Sequence, residues 1–570
     1  MFKILFYCAQ EIEYASNRIF LSIAPLYLKT YIDNNLPEIA NKLEWLPPQQ
    51  RKLDDNEFVD LCNKLKPDLI CTSHYIWNHD FIVNQLGQVY QKLPATTIAC
   101  GGPSINVNID SHFFEKYPFF DYAVYGAGEE AFGDLIKSLL TKTQLITFNT
   151  SNIAWYDKQK QKLRVADFKY VPQLKVSPYL HCADMLENMV KTVQDLGVSA
   201  AVPYELTRGC PYSCTFCDWN SGLSNKVTRR KNSFKDEIDL FYKCRIQTIF
   251  LSDANVGQYD EDIDMIKYFA EVNIEKNAGF TLLGNFSKLK KTNNLKIYHA
   301  MAQGKLIQKN FNISVQDIHD DILKNVDRPD VGWVEHEKMI DELVTAYPQY
   351  VAMTQLILGL PGQTPDTWRE TLRRVTSKKV VPQIFMNELL PASPAARSND
   401  YQNKFNFKYS TSERLTFLVG SKGNYFRGNF PHSCISFSDK DMVKMVLLTI
   451  MYLSLSVLKS ITIKENIPVN FESVIDKFLE SDIYRTLSND LYTNWKEKDK
   501  FYFTIDFDKN KHDVPACSFF DAVYVWCNNL EFVRFLLSCD LDKNIKKDIF
   551  VKFKNNTMSN EVLEFFKEYA

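Results

Sequence analysis

Three cysteines on one short loop carry the strongest chemistry in the chain. Arg208-Gly209-Cys210-Pro211-Tyr212-Ser213-Cys214-Thr215-Phe216-Cys217 spaces them Cys-x-x-x-Cys-x-x-Cys, with a glycine and a proline to tighten the turn. Such a loop can wrap a cuboidal 4Fe–4S cluster and ligate three of its four irons through thiolates. The fourth iron then stays open to a substrate or cofactor. Three weaker readings stand beside this one. A zinc site wants four tetrahedral ligands, and His181 or Cys182 would be a distant fourth. A disulfide leaves an odd thiol, in a context that reads as cytosolic. The cluster of cysteines can also be fortuitous.

With its surroundings, the motif resembles the signature of the radical S-adenosylmethionine (radical SAM) superfamily. Phe216 is the aromatic usual before the third cysteine, and a short strand is expected at Tyr204–Thr207, just ahead of the loop. The resemblance implies that Cys210, Cys214 and Cys217 hold the cluster and that its open iron binds SAM. By matched position it places Ser252, Asp253 and Asn255 at the methionine end of SAM, although the usual Gly-Gly-Glu is absent. Ser314 and Gln316 fall near the ribose or carboxylate, and Leu358-Gly359-Leu360 supports the adenine. Each of these can instead be barrel packing; Asp253 and Gln316 stand out because a polar side chain at the inner end of a strand needs a partner.

The elements that would carry these residues alternate. Over 201–400 the strands expected after the first are Thr248–Asp253, Phe280–Asn285, Phe311–Gln316, Ala352–Leu358 and Gln383–Leu389. Six strand–helix units with function at the carboxyl ends predict a partial (β/α)6 TIM-type barrel, open on one side.

The segment 1–145 alternates as well. Strands are expected at Phe2–Tyr7, 67–73, 96–100 and 122–125, with helices over Leu21–Ile32, Ile76–Leu93 and Ala131–Leu140. That order predicts a doubly wound, Rossmann-like sheet with ligands beyond its carboxyl ends. The run Pro-Asp-Leu-Ile, then Gly-Gly-Pro, then Asp-Tyr-x-Val-x-Gly-x-Gly-Glu-Glu resembles the cobalamin-binding domain ahead of many radical SAM cores. The resemblance implies cobalamin contacts from Ser73, Tyr75, Trp77, Asn78, Gly101, Gly102, Gly126, Gly128 and Glu129. No Asp-x-His-x-x-Gly follows the first strand, so no histidine is expected below the cobalt, and the loop 75–78 is expected to face that side. Plain core packing is the competing reading for Tyr75 and Trp77. A dinucleotide site is disfavoured, because no Gly-x-Gly-x-x-Gly follows the first strand.

The linker 146–200 is expected to hold a small hairpin and a Ser177-Pro178-Tyr179-Leu180 bridge. Lys226, Arg229, Arg230 and Lys231 form a basic run that is either a solvated face or a dock for an acidic donor of flavodoxin or ferredoxin type. A mostly helical carboxyl-terminal domain is expected over 401–570, with helices at Met442–Ile461, Ser473–Leu487, Phe519–Leu537 and Glu561–Tyr569. Tyr425, Arg427 and His432 are its substrate candidates by location alone.

A 570-residue chain with 45% hydrophobic and 24% charged residues is ordinary globular protein of about three or four domains. A net charge of -2 argues against a generic nucleic-acid binder. No secretory signal is expected, and the apolar run Met445–Leu458 is too short for a membrane span. Thirteen scattered cysteines suit a reducing cytoplasm.

The resemblance therefore implies a cobalamin-dependent radical SAM methyltransferase. It would act on an unactivated carbon of a peptide or natural-product-type substrate, through a 5′-deoxyadenosyl radical and methylcobalamin. The alternatives are a cyclase or rearrangement enzyme of the same make-up, a sulfur-inserting enzyme, disfavoured for want of a second cysteine cluster, and a non-enzymatic cobalamin or iron–sulfur sensor.

Overall fold

The structure, a computed structural model, describes residues 1–489 except 14–16, 76, 94–95, 106–108, 158–159, 161, 220–223, 232–233, 309, 379, 391–392, 414–426, 450, 453–470, 482–483 and 486–487. It divides into two compact units, Met1–Gln308 with Pro391–Arg397, and Lys309–Leu390 with Ser398–Ala570.

Phe2–Gln10 (β1) is an apolar strand buried along most of its length, as a parallel strand covered on both faces must be. Leu43–Trp45 (β2), Gln49–Arg51 (β3), Leu69–Ser73 (β4), Thr97–Gly101 (β5) and Tyr122–Val124 (β6) join it. The parallel order is β6-β5-β4-β1-β2, with β3 also paired to β1. Successive side chains enter opposite layers. Leu5, Tyr7 and Ala9 pack with Phe58, Ile82 and Leu86, whereas Ile4, Phe6 and Cys8 pack with Ile32, Phe132 and Leu135. Helices Asp55–Leu65 and His79–Val89 therefore cover one face, and Ala24–Asn35 and Glu129–Thr141 the other. This is the doubly wound sheet that the alternation predicts. Strands β2 and β3, and the helix after them, escape a sequence reading: three residues offer too little alternation to recognise. A reciprocal capping box between Asp54 and Glu57 starts that helix.

The expected linker hairpin forms as Ile153–Asp157 (β7) and Lys162–Val165 (β8), and it extends this same sheet antiparallel beyond β6.

All six strands of the core are present. Ser199–Tyr204 (β9), Thr248–Val256 (β10) and Thr281–Phe286 (β11) pair in parallel in the first unit. Asn310–Gln316 (β12), Val351–Leu358 (β13) and Val380–Met386 (β14) do so in the second. One boundary is corrected: the strand ahead of the cysteines ends at Tyr204. Thr207–Arg208 instead form an antiparallel ribbon with Thr228–Arg229. A further strand, Arg18–Phe20, pairs with Ser199–Ala201 on the side of β9 away from β10.

Beyond residue 398 lie helix Asn399–Phe405, helices over 439–449 and at Phe471–Glu480, and a hairpin of Lys408–Glu413 with Arg427–Ser433. The hairpin lies ahead of the helices expected in this domain. The helix expected at Ser473–Leu487 is continuous only to Glu480. Phe519–Leu537 and Glu561–Tyr569 lie outside the described residues. Among the described residues no helix is long and apolar enough to cross a membrane.

Candidate active site

A buried aspartate steers the chain from β9 to the cysteines. Asp253 Oδ1 accepts the N–H of Leu206 at 2.8 Å and of Thr207 at 3.0 Å. Burial, opposed by the Thr207 N–H and reinforced by Asp262, pushes its carboxyl up to about 7. Arg229, on the ribbon, lies 2.7 Å from Asp262 Oδ1 and 3.9 Å from Asp253 Oδ2. Gly209 follows at φ +104, where a Cβ would sit 2.1 Å from the Lys226 carbonyl oxygen. Only glycine passes this point. Downstream, Thr215 O accepts the N–H of Ala395 at 2.9 Å.

Cys210 and Cys214 are buried and Cys217 partly so. Each sulfur meets an N–H donor. Asn255 Nδ2 is 3.3 Å from Cys210 Sγ, Lys288 Nζ is 3.5 Å from Cys214 Sγ, and the Trp219 backbone nitrogen is 3.4 Å from Cys217 Sγ. Burial pushes the Cys217 thiol up to about 11, so ligation displaces its proton. Among the described residues no three His, Cys, Asp or Glu side chains converge as a single metal ion requires. The distant zinc ligands are engaged elsewhere: His181 pairs with Asp33 at 2.9 Å, and Cys182 contacts Thr30 at 3.4 Å. A cuboidal cluster takes one thiolate per iron and needs no such convergence, and hydrogen bonds to its sulfurs tune it. Three thiols with an N–H donor at each sulfur suit such a cluster.

Of the residues matched to SAM in the first unit, Asp253 is committed to the backbone. Asn255 is shared between Cys210 and a buried, unpartnered Oδ1. Ser252 and Phe216 are partly exposed. In the second unit Ser314 Oγ donates to Gln355 Oε1 at 2.6 Å, and Gln355 Nε2 donates to Gln383 Oε1 at 3.3 Å. One polar rung thus crosses β12, β13 and β14. Gln316 ends β12 at φ +72 beside a register shift, the kind of backbone strain that gathers at binding sites. Leu358 and Leu360 are fully buried. The N–H groups of Gly359 and Leu360 donate to Gln363 Oε1, and Gln363 Nε2 donates to Asp317 Oδ2 at 2.7 Å and the Ile357 carbonyl at 2.8 Å. Sequence reasoning did not single out Gln363. It also missed Arg328, a buried guanidinium whose Nη2 donates to Ser314 O at 2.5 Å and whose Nε has no partner.

The residues matched to cobalamin gather on the loops after β4, β5 and β6. Asn78 is fully buried and spent on the loop itself: Nδ2 donates to Cys8 O and Ser73 O, and Oδ1 accepts Tyr75 N–H. Ser73 Oγ meets Ser22 Oγ at 3.2 Å. Gly102 lies at φ +99 with its Cβ direction 2.6 Å from His74 O, so it serves a loop-to-loop contact. Gly126 is also at positive φ, Gly128 packs on Val124, and Gly101 ends its strand. Trp77 is 38% exposed, stacks on Tyr75 with centroids 4.6 Å apart, and donates Nε1–H to Gln10. The sequence reading missed His74 on this loop. Both its ring nitrogens are occupied, by Thr72 at 2.8 Å and His79 at 3.0 Å, and burial lowers its pKa. Glu129 Oε1 accepts from Arg208 Nη1 at 2.7 Å, and its buried Oε2 has no partner. A stacked, open indole and an orphaned acceptor fit a large flat ligand with amide groups on its rim.

The linker motif is structural. Ser177 caps Pro178–His181, and Tyr179 Oη donates to Pro203 O and accepts Glu205 N–H. Buried Glu237 takes Ser177, Tyr204 and Arg230. The basic run is divided: Arg230 is buried on Glu237 and Arg229 faces Asp262, whereas Lys226 and Lys231 are exposed. Of the substrate candidates, Tyr425 lies outside the described residues, as does the Arg427 side chain. His432 Nδ1 is 2.7 Å from Asp439 Oδ1.

The sequence model described as the Radical SAM superfamily matches residues 204–375. The cobalamin-dependent radical SAM methyltransferase TokK of Streptomyces tokunonensis is 26% identical over 62% of this chain and 50% of its own length. The 2-(S-pantetheinyl)-carbapenam-3-carboxylate methyltransferase of Streptantibioticus cattleyicolor is 25% identical over 62% of this chain and 50% of its own. The chain thus spans about half the length of the curated relatives it matches. Among solved structures, the cobalamin-dependent radical enzyme OxsB with aqua-cobalamin and SAM aligns at TM-score 0.57 and 14% identity, covering 100% of this chain and 84% of that one. TsrM from Kitasatospora setae, with cobalamin and a 4Fe–4S cluster, aligns at TM-score 0.55 and 11% identity, covering 80% and 95%. At these identities the structural likeness shows the fold alone: a Rossmann-like sheet together with parallel strand–helix units.

Proposed function

With residues 204–375 matched as a radical SAM domain, we propose that this chain is a cobalamin-dependent radical SAM methyltransferase. Its substrate is an unactivated carbon of a peptide or natural-product-type molecule. The observation that supports the reading is the cysteine loop: three thiols spaced Cys-x-x-x-Cys-x-x-Cys, each facing an N–H donor.

Bound, the cluster and SAM supply a 5′-deoxyadenosyl radical, and cobalamin supplies the methyl group. The chain positions and shields. Asp253 and Gly209 fix the approach to the cysteines. Asn255 and Ser252 are assigned to the methionine end of SAM, with Phe216 beside them. The rung from Ser314, with Gln316 and the buried Arg328, is assigned to the ribose and carboxylate, and Leu358-Gly359-Leu360, braced by Gln363, to the adenine. Tyr75 and Trp77 are assigned to the lower face of cobalamin, without a histidine ligand. Withdrawing His74 would break its contacts with Thr72 and His79. The domain limits 1–145, 146–200, 201–400 and 401–570 are part of the same proposal. So are a reduced flavodoxin- or ferredoxin-type donor, a cytoplasmic setting, and a substrate role for Tyr425, Arg427 and His432.

The test is oxygen-free purification with cobalamin, then assay of deoxyadenosine and methylated product against candidate substrates. Iron and sulfide near four each per chain are expected, with cobalamin bound. Deoxyadenosine without methylated product would favour the cyclase or rearrangement alternative; neither product, with both cofactors bound, would favour a sensor.

A further inference from the structure

The three sulfurs of the loop receive three different kinds of donor. Cys210 has a neutral amide from Asn255, Cys217 a backbone N–H from Trp219, and Cys214 the ammonium of Lys288. Lys288 follows β11 and is fixed from two sides. Its Nζ is 3.5 Å from Cys214 Sγ and 4.6 Å from the centroid of the Tyr212 ring. Its contacts among the described residues include no carboxylate. Cys214 itself is only 3% exposed and Lys288 is partly buried, so the sulfur end of the pair is shielded from water.

We infer that Lys288 sets the reduction potential of the cluster, holding it higher than the thiolate ligands alone would. The inference rests on the reading that these cysteines bind a 4Fe–4S cluster. Reduction adds one electron and one negative charge to the cluster, and no bond forms or breaks. A fixed cation at a ligand sulfur stabilises the reduced form more than the oxidised form. Hydrogen bonds to cluster sulfurs act in the same direction, and a charged donor is roughly twice as strong as a neutral one. Cys214 is therefore the corner at which added charge is best compensated. A low-potential cluster that must accept an electron from a soluble donor gains from such a group, whereas Asn255 and Trp219 chiefly orient their sulfurs.

The test is an EPR-monitored redox titration of the SAM-free, iron-reconstituted full chain, with iron content measured for each variant. Lys288→Met is expected to make the potential more negative, with reduction at least tenfold less favourable, which for one electron is about 59 mV. Lys288→Arg, which keeps the charge, is expected to stay near the wild-type value. Should Lys288→Met take up no iron, Lys288→Gln, which keeps an N–H donor without the charge, makes the same comparison. A wild-type potential in the charge-removed variant overturns the inference. So does an effect confined to SAM affinity, which would make Lys288 a cofactor contact. If the wild-type chain forms no cuboidal cluster, the functional reading itself falls, a result visible before any variant is made.

Discussion

Several single side chains of the candidate site hold backbone. Asp253 is the sharpest case: two buried N–H groups end on one of its oxygens. Asp253→Ala should cost about 1–3 kcal/mol, because it leaves those donors unsatisfied. Asp253→Asn keeps an acceptor and should cost less; urea denaturation of the two variants gives the comparison. His319 supplies a pH test. The hydrogen bond to Asp317, aided by Glu370 and opposed by burial, raises its pKa. The folded state then binds the proton more tightly than the unfolded state. Its stabilisation is complete below about 6.5, the ordinary histidine value, and is lost as pH rises through the raised one. The gap in stability between wild type and His319→Gln should therefore be widest in acid and close at alkaline pH. The cysteine loop stood out in sequence because its spacing, taken with the pattern downstream, narrows the chemistry. Lys288, Arg328 and Gln363 did not, because a lone lysine, arginine or glutamine takes its meaning from what folding sets beside it.

At the scale of elements, the loops after the strands are narrower than their glycines suggest. Gly209 crosses the Lys226 carbonyl so closely that Gly209→Ala must displace the ribbon or the cysteine loop. Iron uptake on reconstitution should fall several-fold while far-ultraviolet circular dichroism stays near wild type. The long strands were legible because apolar runs of five or more residues bounded by turns mark buried parallel strands. The strand before the cysteines was expected at Tyr204–Thr207, just ahead of the loop, whereas the apolar residues Ala200–Val202 fix it earlier. The hairpin after residue 407 carried no alternation of apolar residues to announce it.

At the scale of the whole first unit, one ion pair joins the two α/β layers. Glu129 opens the helix after β6, Arg208 opens the cysteine loop, and their side chains are 3% and 14% exposed. Removing the arginine alone, as Arg208→Ala, strands a buried carboxylate and should cost about 3–5 kcal/mol. Adding Glu129→Gln should restore part of that loss, and a double-mutant cycle by thermal denaturation measures the coupling. The alternation of strands and helices announced both α/β layers. It could not announce their exchange of strands, since pairing partners far apart in sequence leave no local trace.

Arg18–Phe20 line up against Ser199–Ala201, some 180 positions further along. During synthesis the earlier segment emerges long before its partner exists, and a bare strand edge attracts other chains. Contacts spanning such separations also form slowly. Recovery of the protein from denaturant should therefore finish with this docking, and high concentration during that interval should divert chains into aggregates.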